Sequence, residues 1–423
     1  MRRLAVPEGP SARRRMLGVM TMDLEGIYTD LHRHPELSFQ EHRTAGIVAE
    51  HLRALGIDTT EGVGRTGVVG VVSNGVGPTV WLRADMDGLP VEELTGLPYA
   101  SAARGVNPAG LDVPVMHACG HDMHVTCLLG AIERLVAEKD SWHGTVVAVF
   151  QPAEEFGAGS QAMLDDGVLD RFPRPDIVLG QHVTPLPAGT IGVRSGTQMA
   201  ASDGLTVTMY GRGGHGSRPQ ATIDPVVMAA ATVMRLQTIV SREVDPRDVA
   251  VVTVGSIHAG LKNNIISDEA KLEISLRYPT DALRDAVLAK LERVVNAEAA
   301  ASGATVAPRI VTDHTLPPTI NDENATARLV SAFEASFGDG SVIDPGMFTG
   351  SEDVSRFARD AGVPLVFWFW GGVDAEAHAR ALAAGTLETD IPTNHSAYFA
   401  PVLQPTLSRG VEALVIAARE FLG

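Results

Sequence analysis

Short, unbroken apolar runs that alternate with helical segments constrain the fold of this chain more than any other feature. The runs with strand character lie at 68–72, 79–82, 145–150, 177–179 and 364–370. Such continuous runs are typical of strands that helices cover on both faces, and therefore of parallel sheets. Between them, residues 23–55 and 125–137 carry apolar side chains at helical spacing. This alternation predicts an α/β domain built around a mostly parallel sheet.

The middle of the chain follows a different pattern. Residues 205–210 alternate between apolar and polar side chains, which predicts a strand with one buried face. The elements predicted after it are a helix at 224–240, strands at 249–257 and 270–277, a helix at 281–301 and a strand at 304–311. The order β-α-β-β-α-β is that of a ferredoxin-like unit with its own antiparallel sheet. We therefore predict a second, inserted domain at 195–313.

The remaining boundaries follow from this insertion. We expect residues 22–194 and 314–423 to form one catalytic domain that the insertion interrupts. Residues 1–21 hold five arginines and a single acid, and their apolar stretch at 16–20 is too short for the core of a secretion signal. We interpret them as a flexible basic tail.

Charge and cysteine content narrow the partners and the compartment. The 51 acidic residues outnumber the 34 basic ones, which leaves a net charge of −17. This balance argues against nucleic acid or an anionic membrane surface as the main partner, because both require clustered basic side chains. Two cysteines, Cys119 and Cys127, cannot build a disulfide framework. What remains is an acidic, multi-domain globular protein, most simply a cytoplasmic enzyme.

Four segments rich in metal-ligating side chains follow strands or begin helices. They are M-H-A-C-G-H-D-M-H at 116–124, F-Q-P-A-E-E at 150–155, G-Q-H at 180–182 and T-N-H-S at 393–396. Groups just past the carboxyl ends of parallel strands face one crevice, so the first three segments can share a pocket. Thiolate, imidazole and carboxylate together suit a transition metal. Of two adjacent carboxylates, one can bind metal while the other acts as a general base.

Each of these residues also has an ordinary structural explanation. His182 alone fits a hydrogen-bonded core histidine, and Glu154 with Glu155 fits a helix start, where the helix dipole favours acids. Cys127 is expected to fill a buried apolar position, and His32 to lie at a surface or near a helix cap. A C-x-H segment, an acid pair and a further histidine, each beside a strand, are hard to obtain together from packing alone. Their joint occurrence favours a metal site.

Seven segments spread along the chain carry a resemblance to a known family. They are L-R-A-D-M-D-G-L-P at 82–90, M-H-A-C-G-H-D-M-H at 116–124, F-Q-P-A-E-E at 150–155, G-R-G-G-H-G-S-R-P at 211–219, N-I-I-S-D at 264–268, G-S-E-D at 350–353 and N-H-S at 394–396. In this order and spacing, the chain resembles the hippurate hydrolase and auxin-conjugate hydrolase branch of the two-metal aminoacylase–carboxypeptidase family. The resemblance implies a metal-binding α/β domain that a smaller lid and dimerisation domain interrupts, which agrees with the predicted insertion.

The resemblance also implies a set of residues and a reaction. The side chains that would hold two divalent metal ions (Zn, Mn, Co or Ni) are Cys119, His121, Glu155, His182 and His395. Glu154 would be the general base in the hydrolysis of an amide bond. The substrate would be an N-acyl amino acid or a similar conjugate, which would release a carboxylic acid and an amino acid.

Further roles are implied for residues around this centre. Asp85 and Asp87 stand where relatives have a His-x-Asp pair; since Arg83 replaces the histidine here, we expect both aspartates to support the ligands rather than bind metal. His215 would hold the substrate carbonyl at the catalytic site of a partner subunit, in a homodimer formed through the inserted domain. Two further candidates for substrate binding are Asn264 and Arg277, whose fork-shaped guanidinium suits a substrate carboxylate.

Two other functions remain open at this point. Cys119 could be the nucleophile of a thiol-dependent amidase, activated by His121 or His182. The chain could instead be a metal-binding homologue without catalysis. The i, i+2 spacing of Cys119 and His121 suits two ligands of one ion at least as well as a nucleophile and its base. Retention of Glu154 beside a complete ligand set argues against the homologue without catalysis.

Overall fold

The computed structural model describes residues 22–423, so the predicted basic tail at 1–21 lies outside the described residues. The chain divides into two compact units. The first comprises residues 22–196, Asn321–Gly346 and Val354–Gly423, and the second comprises Thr197–Ile320 and Met347–Asp353. The second unit thus overlaps the insertion predicted at 195–313. It also contains the segment 347–353, which the sequence analysis placed in the catalytic domain.

The strands are numbered in chain order. They are β1 (Asp58–Val63), β2 (Gly67–Asn74), β3 (Thr79–Asp85), β4 (Arg104–Val106), β5 (Asp112–Pro114), β6 (Gly144–Gln151), β7 (Ile177–Pro187), β8 (Ile191–Gly192), β9 (Gly196–Met199), β10 (Ala201–Tyr210), β11 (Gly214–His215), β12 (Val251–Ala259), β13 (Ile265–Ile266), β14 (Glu269–Tyr278), β15 (Arg309–Leu316), β16 (Thr319–Asn321), β17 (Val342–Ile343) and β18 (Leu365–Val373).

The helices are numbered in the same way. They are α1 (Leu24–Arg33), α2 (His42–Ala54), α3 (His121–Ala137), α4 (Gly159–Asp165), α5 (Val168–Arg171), α6 (Pro225–Thr238), α7 (Asp281–Ala301), α8 (Glu323–Phe337), α9 (Ser355–Ala361), α10 (Ala375–Ala384), α11 (Leu387–Asp390) and α12 (Leu403–Phe421). Among the described helices, none combines the length and the apolar character that crossing a bilayer requires.

The first unit is built on a mixed sheet with the strand order β1-β2-β6-β3-β7-β18-β8-β17. Its four central strands, β6, β3, β7 and β18, run parallel to one another. Their side chains are almost completely buried, and helices α3 and α12 contribute to the same apolar core. The predicted α/β class with a mostly parallel central sheet is therefore confirmed.

Two segments of this unit are more detailed than the sequence pattern indicated. The segment 68–72 forms a strand, β2, as predicted. It pairs antiparallel with β1, because the short connection at 64–66 turns the chain back directly, and its other edge pairs antiparallel with β6. The helical pattern at 23–55 corresponds to two helices, α1 and α2. The break follows from Pro35, which disfavours helical backbone at the preceding residue and cannot donate a helical hydrogen bond.

The second unit contains a four-stranded antiparallel sheet with the order β12-β14-β10-β15. Helices α6 and α7 pack on it, and the apolar core between them includes Met228, Leu236, Val287 and Leu291. In chain order the elements are β10-α6-β12-β14-α7-β15, which is the ferredoxin-like arrangement. The last strand begins at Arg309 rather than at residue 304, since residues 304–308 do not extend the sheet.

Candidate metal centre

Three neighbouring strands bring polar side chains to one level of the central sheet. Asp85 ends β3 and lies opposite Gln151, the last residue of β6. His182 comes from β7, and its neighbour on β18 is Phe369. The sequence analysis placed His182 beyond the end of its strand, whereas β7 continues to Pro187 because residues up to that point still pair with β18.

The loop before α3 and the start of that helix supply two further donors, Cys119 and His121. Gly120 joins them with a left-handed backbone (φ +85°), and a Cβ at this position would lie 2.4 Å from the Val183 side chain. Glycine is thus required here for two reasons, its free φ and its lack of a side chain. Helix α3 then runs through the core and is buried along most of its length.

The five residues implied as metal ligands come together in this unit. The donor atoms of Cys119, His121 and His182 lie within 4.8 Å of one another, and so do those of Cys119, Glu155 and His395. The Cys119 sulfur is 3.4 Å from Nε2 of His182. The His395 Nε2 is 3.4 Å from Glu155 Oε2. Two three-residue groups therefore share Cys119, a geometry that would suit two adjacent cations.

We call these five residues (Cys119, His121, Glu155, His182 and His395) the cluster. Two of its buried atoms indicate that a cation is the missing partner. The Nε2 of His121 and the Oε1 of Glu155 are buried and have no hydrogen-bond partner among the described residues. They are 3.9 Å apart and face each other. Because buried polar atoms without partners are costly, and both atoms carry lone pairs, the residues present fit a divalent metal ion.

The rings of two histidines are oriented as metal ligands require. His121 donates from Nδ1 to Asp87 Oδ1 at 3.2 Å, and His182 donates from Nδ1 to the Val183 carbonyl at 2.7 Å. In both rings Nδ1 therefore carries a proton, since each partner can only accept. The Nε2 atoms are left to face the cluster, which is the usual arrangement of metal-bound histidines.

Asp87 binds both His121 and the acid pair, Glu154 and Glu155. Its carboxylate accepts hydrogen bonds from the backbone N–H of Glu154 at 3.2 Å and of Glu155 at 3.1 Å. The Ser38 hydroxyl donates to the same carboxylate at 2.6 Å. Asp87 thus binds His121 and the backbone of the acid pair, while its role as a support rather than a metal ligand stays a prediction.

Each of the two carboxylate oxygens of Asp85 has a hydrogen-bond partner. It accepts from Arg83 Nη1 at 2.7 Å and from His124 Nδ1 at 2.5 Å. Burial alone would raise the pKa of Asp85, but the Arg83 guanidinium and the neighbouring histidines hold it well below its usual range. Arg83 also donates to Gln151 at 2.9 Å, so it occupies the place of the expected histidine as a buried ion-pair partner.

Glu154 lies beside the cluster and is mostly buried. Its Oε2 is 3.9 Å from Nε2 of His121, the same distance that separates His121 from Glu155. Glu155, by contrast, faces both His121 and His395. The two neighbouring carboxylates thus occupy different positions, as a division between ligand and base requires.

His395 reaches the cluster from a strained backbone. Its φ is +72°, a left-handed value that is uncommon outside glycine and is often found at functional sites. The backbone N–H of His395 donates to the Ala118 carbonyl at 2.8 Å. The Asn394 amide donates to the carbonyls of Cys119 and Val183 at 3.2 and 3.1 Å. These bonds attach the loop to the two segments that carry Cys119 and His182.

The cluster can be compared with known proteins. The family model of peptidase family M20/M25/M40 matches residues 81–398, three quarters of the chain, which includes every residue of the cluster. The chain belongs to this family.

Characterised relatives of this M20 chain are hydrolases. A thermostable carboxypeptidase of Saccharolobus solfataricus is 37% identical over 350 residues, which cover 82% of this chain and 84% of that protein. The N-acetyl-L-cysteine deacetylase of Bacillus subtilis is 37% identical over 359 residues, with 84% and 82% covered. The hippurate hydrolase of Campylobacter jejuni is 37% identical over 324 residues, with 75% and 81% covered. The predicted hippurate hydrolase branch is confirmed.

A solved structure agrees with the fold and with the cluster. A dinuclear metal-binding peptidase of the M20 family from Bacillus subtilis superposes with a TM-score of 0.75 at 28% identity, and the match covers 94% of this chain and 98% of that one. A protein similar to this M20 chain thus binds two metal ions on the same fold.

Without a cation, the electrostatics of the M20 cluster disfavour a thiolate. Burial raises the pKa of the Cys119 thiol well above its usual value, and the nearby Glu155 and Glu154 carboxylates raise it further. Burial disfavours a charged His121, but Asp85 and Asp87 outweigh it and raise the pKa of His121 to about 10. A bound divalent cation would reverse both tendencies, because it stabilises the thiolate and the neutral imidazole.

Sequence reasoning gave no role to two residues that support this M20 cluster. His124 accepts from the Val183 N–H at 3.0 Å while its Nδ1 contacts Asp85, so both ring nitrogens are occupied and the residue braces β3 against β7. Asn394 joins the His395 loop to the ligand segments. Both residues lie within the motifs that suggested the metal. Their spacing in the sequence does not show whether they support the ligands or bind the metal themselves.

His32 was predicted to lie at a surface or near a helix cap. It stands in the last turn of α1, near the C-cap residue His34, and is fully buried. Its Nδ1 contacts Asp122 Oδ2 at 2.6 Å and its Nε2 contacts Glu93 Oε1 at 3.1 Å. Burial disfavours the charged ring, but the two carboxylates dominate and raise the pKa of His32 to about 10. The sequence did not reveal these partners, since they lie 61 and 90 residues away. Cys127, in contrast, is a buried apolar filler as expected.

The remaining candidates lie in the second unit of this M20 fold. His215 is exposed on β11, and its ring Nδ1 accepts from the Ser217 N–H at 3.1 Å. The Gly216 N–H donates to the Asn264 carbonyl at 2.9 Å, so the His215 and Asn264 segments are adjacent. Arg277 on β14 donates from Nη1 to the Ser351 hydroxyl at 2.6 Å.

Proposed function

We propose that this chain hydrolyses the amide bond of an N-acyl amino acid or a similar conjugate, and releases a carboxylic acid and a free amino acid. The observation that carries the proposal is the buried donor set with two unpartnered lone-pair atoms, which has a second carboxylate, Glu154, beside it. The related deacetylase, hippurate hydrolase and carboxypeptidase support the same substrate class.

The cluster would hold two divalent metal ions. The proposed ligands are Cys119, His121, Glu155, His182 and His395. A thiolate with two or three imidazoles favours Zn, Co or Ni over Mg, and Mn is a further candidate. Bound there, the ions would polarise the substrate carbonyl and lower the pKa of the attacking water.

Glu154 would carry the proton through the reaction. Its carboxylate would accept a proton from the attacking water as the new C–O bond forms. When the C–N bond breaks, the same carboxyl group would donate that proton to the departing nitrogen. The amine therefore leaves protonated, and Glu154 returns to its starting form.

Residues of the second unit would bind the substrate. His215 would donate a hydrogen bond to the carbonyl oxygen as negative charge develops there. Arg277 would pair with the carboxylate of the amino-acid part, and its bond to Ser351 holds the guanidinium in place. Asn264, adjacent to the His215 segment, would add a further polar contact.

We also propose a homodimer through the second unit, in which His215 serves the site of the partner. Strand β12 is an edge of the four-stranded sheet, and Ile257 on it is 47% exposed. Helix α6 presents a stripe of exposed Val227, Ala230 and Met234 at helical spacing. An open strand edge beside exposed apolar residues is typical of a pairing surface.

Free thiols at both cysteines fit the proposed cytoplasmic location.

The electrostatics disfavour a thiol nucleophile that is activated by His182. Such an enzyme needs a thiolate paired with an imidazolium. Here burial holds the pKa of His182 well below its usual value, while burial and nearby carboxylates raise that of Cys119. Both shifts favour the neutral pair, which is a poor nucleophile.

The test is turnover of a panel of N-acyl amino acids that carry benzoyl, acetyl and indole-acetyl groups, before and after chelation. We expect phenanthroline to abolish hydrolysis, and Mn, Co or Zn to restore it. Activity that survives chelation but not iodoacetamide would establish the thiol mechanism. Absence of turnover with every substrate and metal would favour a homologue without catalysis.

A further inference from the structure

Besides His395 and Arg65, Phe39 and Ala153 are the described residues other than glycine with a left-handed backbone. Phe39 has φ +61° in the loop between α1 and α2, and Ala153 has φ +47° in the loop after β6. Side chains with a Cβ adopt this conformation only where surrounding contacts impose it. Ala153 directly precedes Glu154 and Glu155, so its backbone determines the direction in which both carboxylates leave the strand.

One buried carboxylate binds both strained residues. Glu41 Oε1 accepts from the Phe39 N–H at 2.9 Å and from the Ala153 N–H at 2.8 Å. Its other oxygen accepts from the Thr66 hydroxyl at 2.5 Å. Glu41 is fully buried, and Ala153 lies 112 residues further along the chain. The contact therefore connects the α1–α2 loop to the loop of the metal cluster.

Glu41 and Asp87 together bind three consecutive backbone N–H groups. Ala153 donates to Glu41, and the N–H groups of Glu154 and Glu155 donate to Asp87. Successive N–H groups around a left-handed residue form a concave donor array that binds anions. In this chain, two buried side-chain carboxylates fill the array.

We propose that Glu41 is a positioning residue, which holds Ala153 in its left-handed backbone and so fixes the carboxylates of Glu154 and Glu155. The inference rests on the proposed hydrolysis, because it assigns those carboxylates their roles. Without Glu41, the buried Ala153 N–H would lose its partner and the residue would relax toward negative φ. The acid pair would then point differently, although its own side chains are unchanged.

The test compares four variants of the full-length protein with the wild type. E41A removes the acceptor, and E41Q keeps one acceptor oxygen for the two N–H groups and a donor for Thr66. E41A/A153G adds a glycine that adopts the left-handed backbone without steric cost. E41A/F39G is the matched control, since it relieves the other strained residue that Glu41 binds but not the one beside the acid pair.

Four quantities are measured: kcat, KM, the apparent dissociation constant for Zn²⁺ from competition with a chromophoric chelator, and Tm. For E41A we expect kcat to fall about 10- to 100-fold with little change in KM, and Zn²⁺ to bind about 10- to 100-fold more weakly. E41Q should stay within about threefold of the wild type in both quantities. A153G should restore most of the kcat and Zn²⁺ affinity of E41A, while F39G should raise Tm without restoring either.

Several results would overturn the inference. It fails if E41A keeps wild-type kcat and Zn²⁺ affinity, if E41Q is as impaired as E41A, or if F39G rescues as well as A153G. If E41A does not fold, T66V makes the same test, because it removes the hydroxyl that holds Glu41; wild-type kcat in T66V would then overturn the inference. The proposed function fails separately, if the wild type itself hydrolyses no N-acyl amino acid with any metal.

Discussion

Two adjacent glutamates with the same chemistry occupy different surroundings. Glu155 has one buried oxygen without a hydrogen-bond partner among the described residues and another beside His395, whereas Glu154 contacts the cluster through a single oxygen. We expect E154Q to lower kcat by at least about 10³-fold while it retains two metal ions per chain, because only the proton carrier is lost. The measurements are steady-state turnover and metal content by mass spectrometry.

The neighbouring variant is the control for this prediction. E155Q replaces a proposed ligand, so we expect it to lose metal as well as activity. Substantial turnover in E154Q, or equal metal loss in both variants, would contradict the assignment of base and ligand.

Because of His32, we expect the free energy of unfolding to depend on pH between about 6.5 and 10. Its pKa is about 10 in the folded protein against 6.5 in the unfolded chain, so the folded state holds one more proton between these values. The stabilisation is complete below pH 6.5 and is lost as the pH rises toward 10. In this window the free energy of unfolding should fall by about 1.4 kcal/mol per pH unit from this residue.

Urea unfolding of the wild type and H32Q between pH 6.5 and 10 measures this contribution. The H32Q variant should be less stable at pH 6.5. It should lose about half of the alkaline slope in the metal-free protein, because the raised pKa of His121 contributes the other half. H34Q, which alters a half-exposed histidine beside Asp30, serves as the control and should keep the slope. Equal slopes in the wild type and H32Q would show that His32 is not the charged group.

At the scale of the elements, the turn between β6 and α4 leaves no room for a side chain at Gly159. Gly159 begins α4, and a Cβ there would lie 1.5 Å from the Pro152 carbonyl oxygen. Since backbone would have to move, we expect G159A to destabilise the protein by about 1–3 kcal/mol and to lower kcat by shifting the acid pair. Chemical denaturation and steady-state kinetics test both effects.

Helix α2 offers a matched glycine for comparison. A Cβ at Gly46 would meet no atom within 4 Å, and its φ is not left-handed. G46A should therefore stabilise the protein by about 0.5–1 kcal/mol, because alanine loses less conformational freedom in a helix. Wild-type stability and kcat in G159A would contradict the close approach at the turn.

At the scale of the whole molecule, the proposed dimer makes activity depend on the second unit. The double variant M234K/I257K places charges on α6 and on the edge strand β12. We expect it to be monomeric by light scattering and to lose at least about tenfold in kcat/KM, since His215 would no longer reach the site of a partner. V306K alters an exposed apolar residue outside β12 and α6 and should remain dimeric. A fully active monomeric wild type would contradict the proposal.

The sequence by itself determined the architecture and the chemistry of the centre. Unbroken apolar runs predicted β3, β6, β7 and β18. A strand that is buried on both faces is apolar at nearly every position, so its own residues identify it without knowledge of the neighbouring elements. Donor types and their spacing within single segments likewise pointed to Cys119, His121 and the acid pair. Such features are local, so the sequence displays them directly.

Contacts between distant segments were decided only by the tertiary structure. His32 was expected at a surface or near a cap, but it pairs with two carboxylates from distant segments, Asp122 at the start of α3 and Glu93 in a loop. Glu41 lay in a stretch predicted as helix, and its partner Ala153 follows a different strand. Asn394 and His124 serve as braces only because β7 passes beside them. A residue's partner across the fold depends on strand order and register, which no local periodicity encodes.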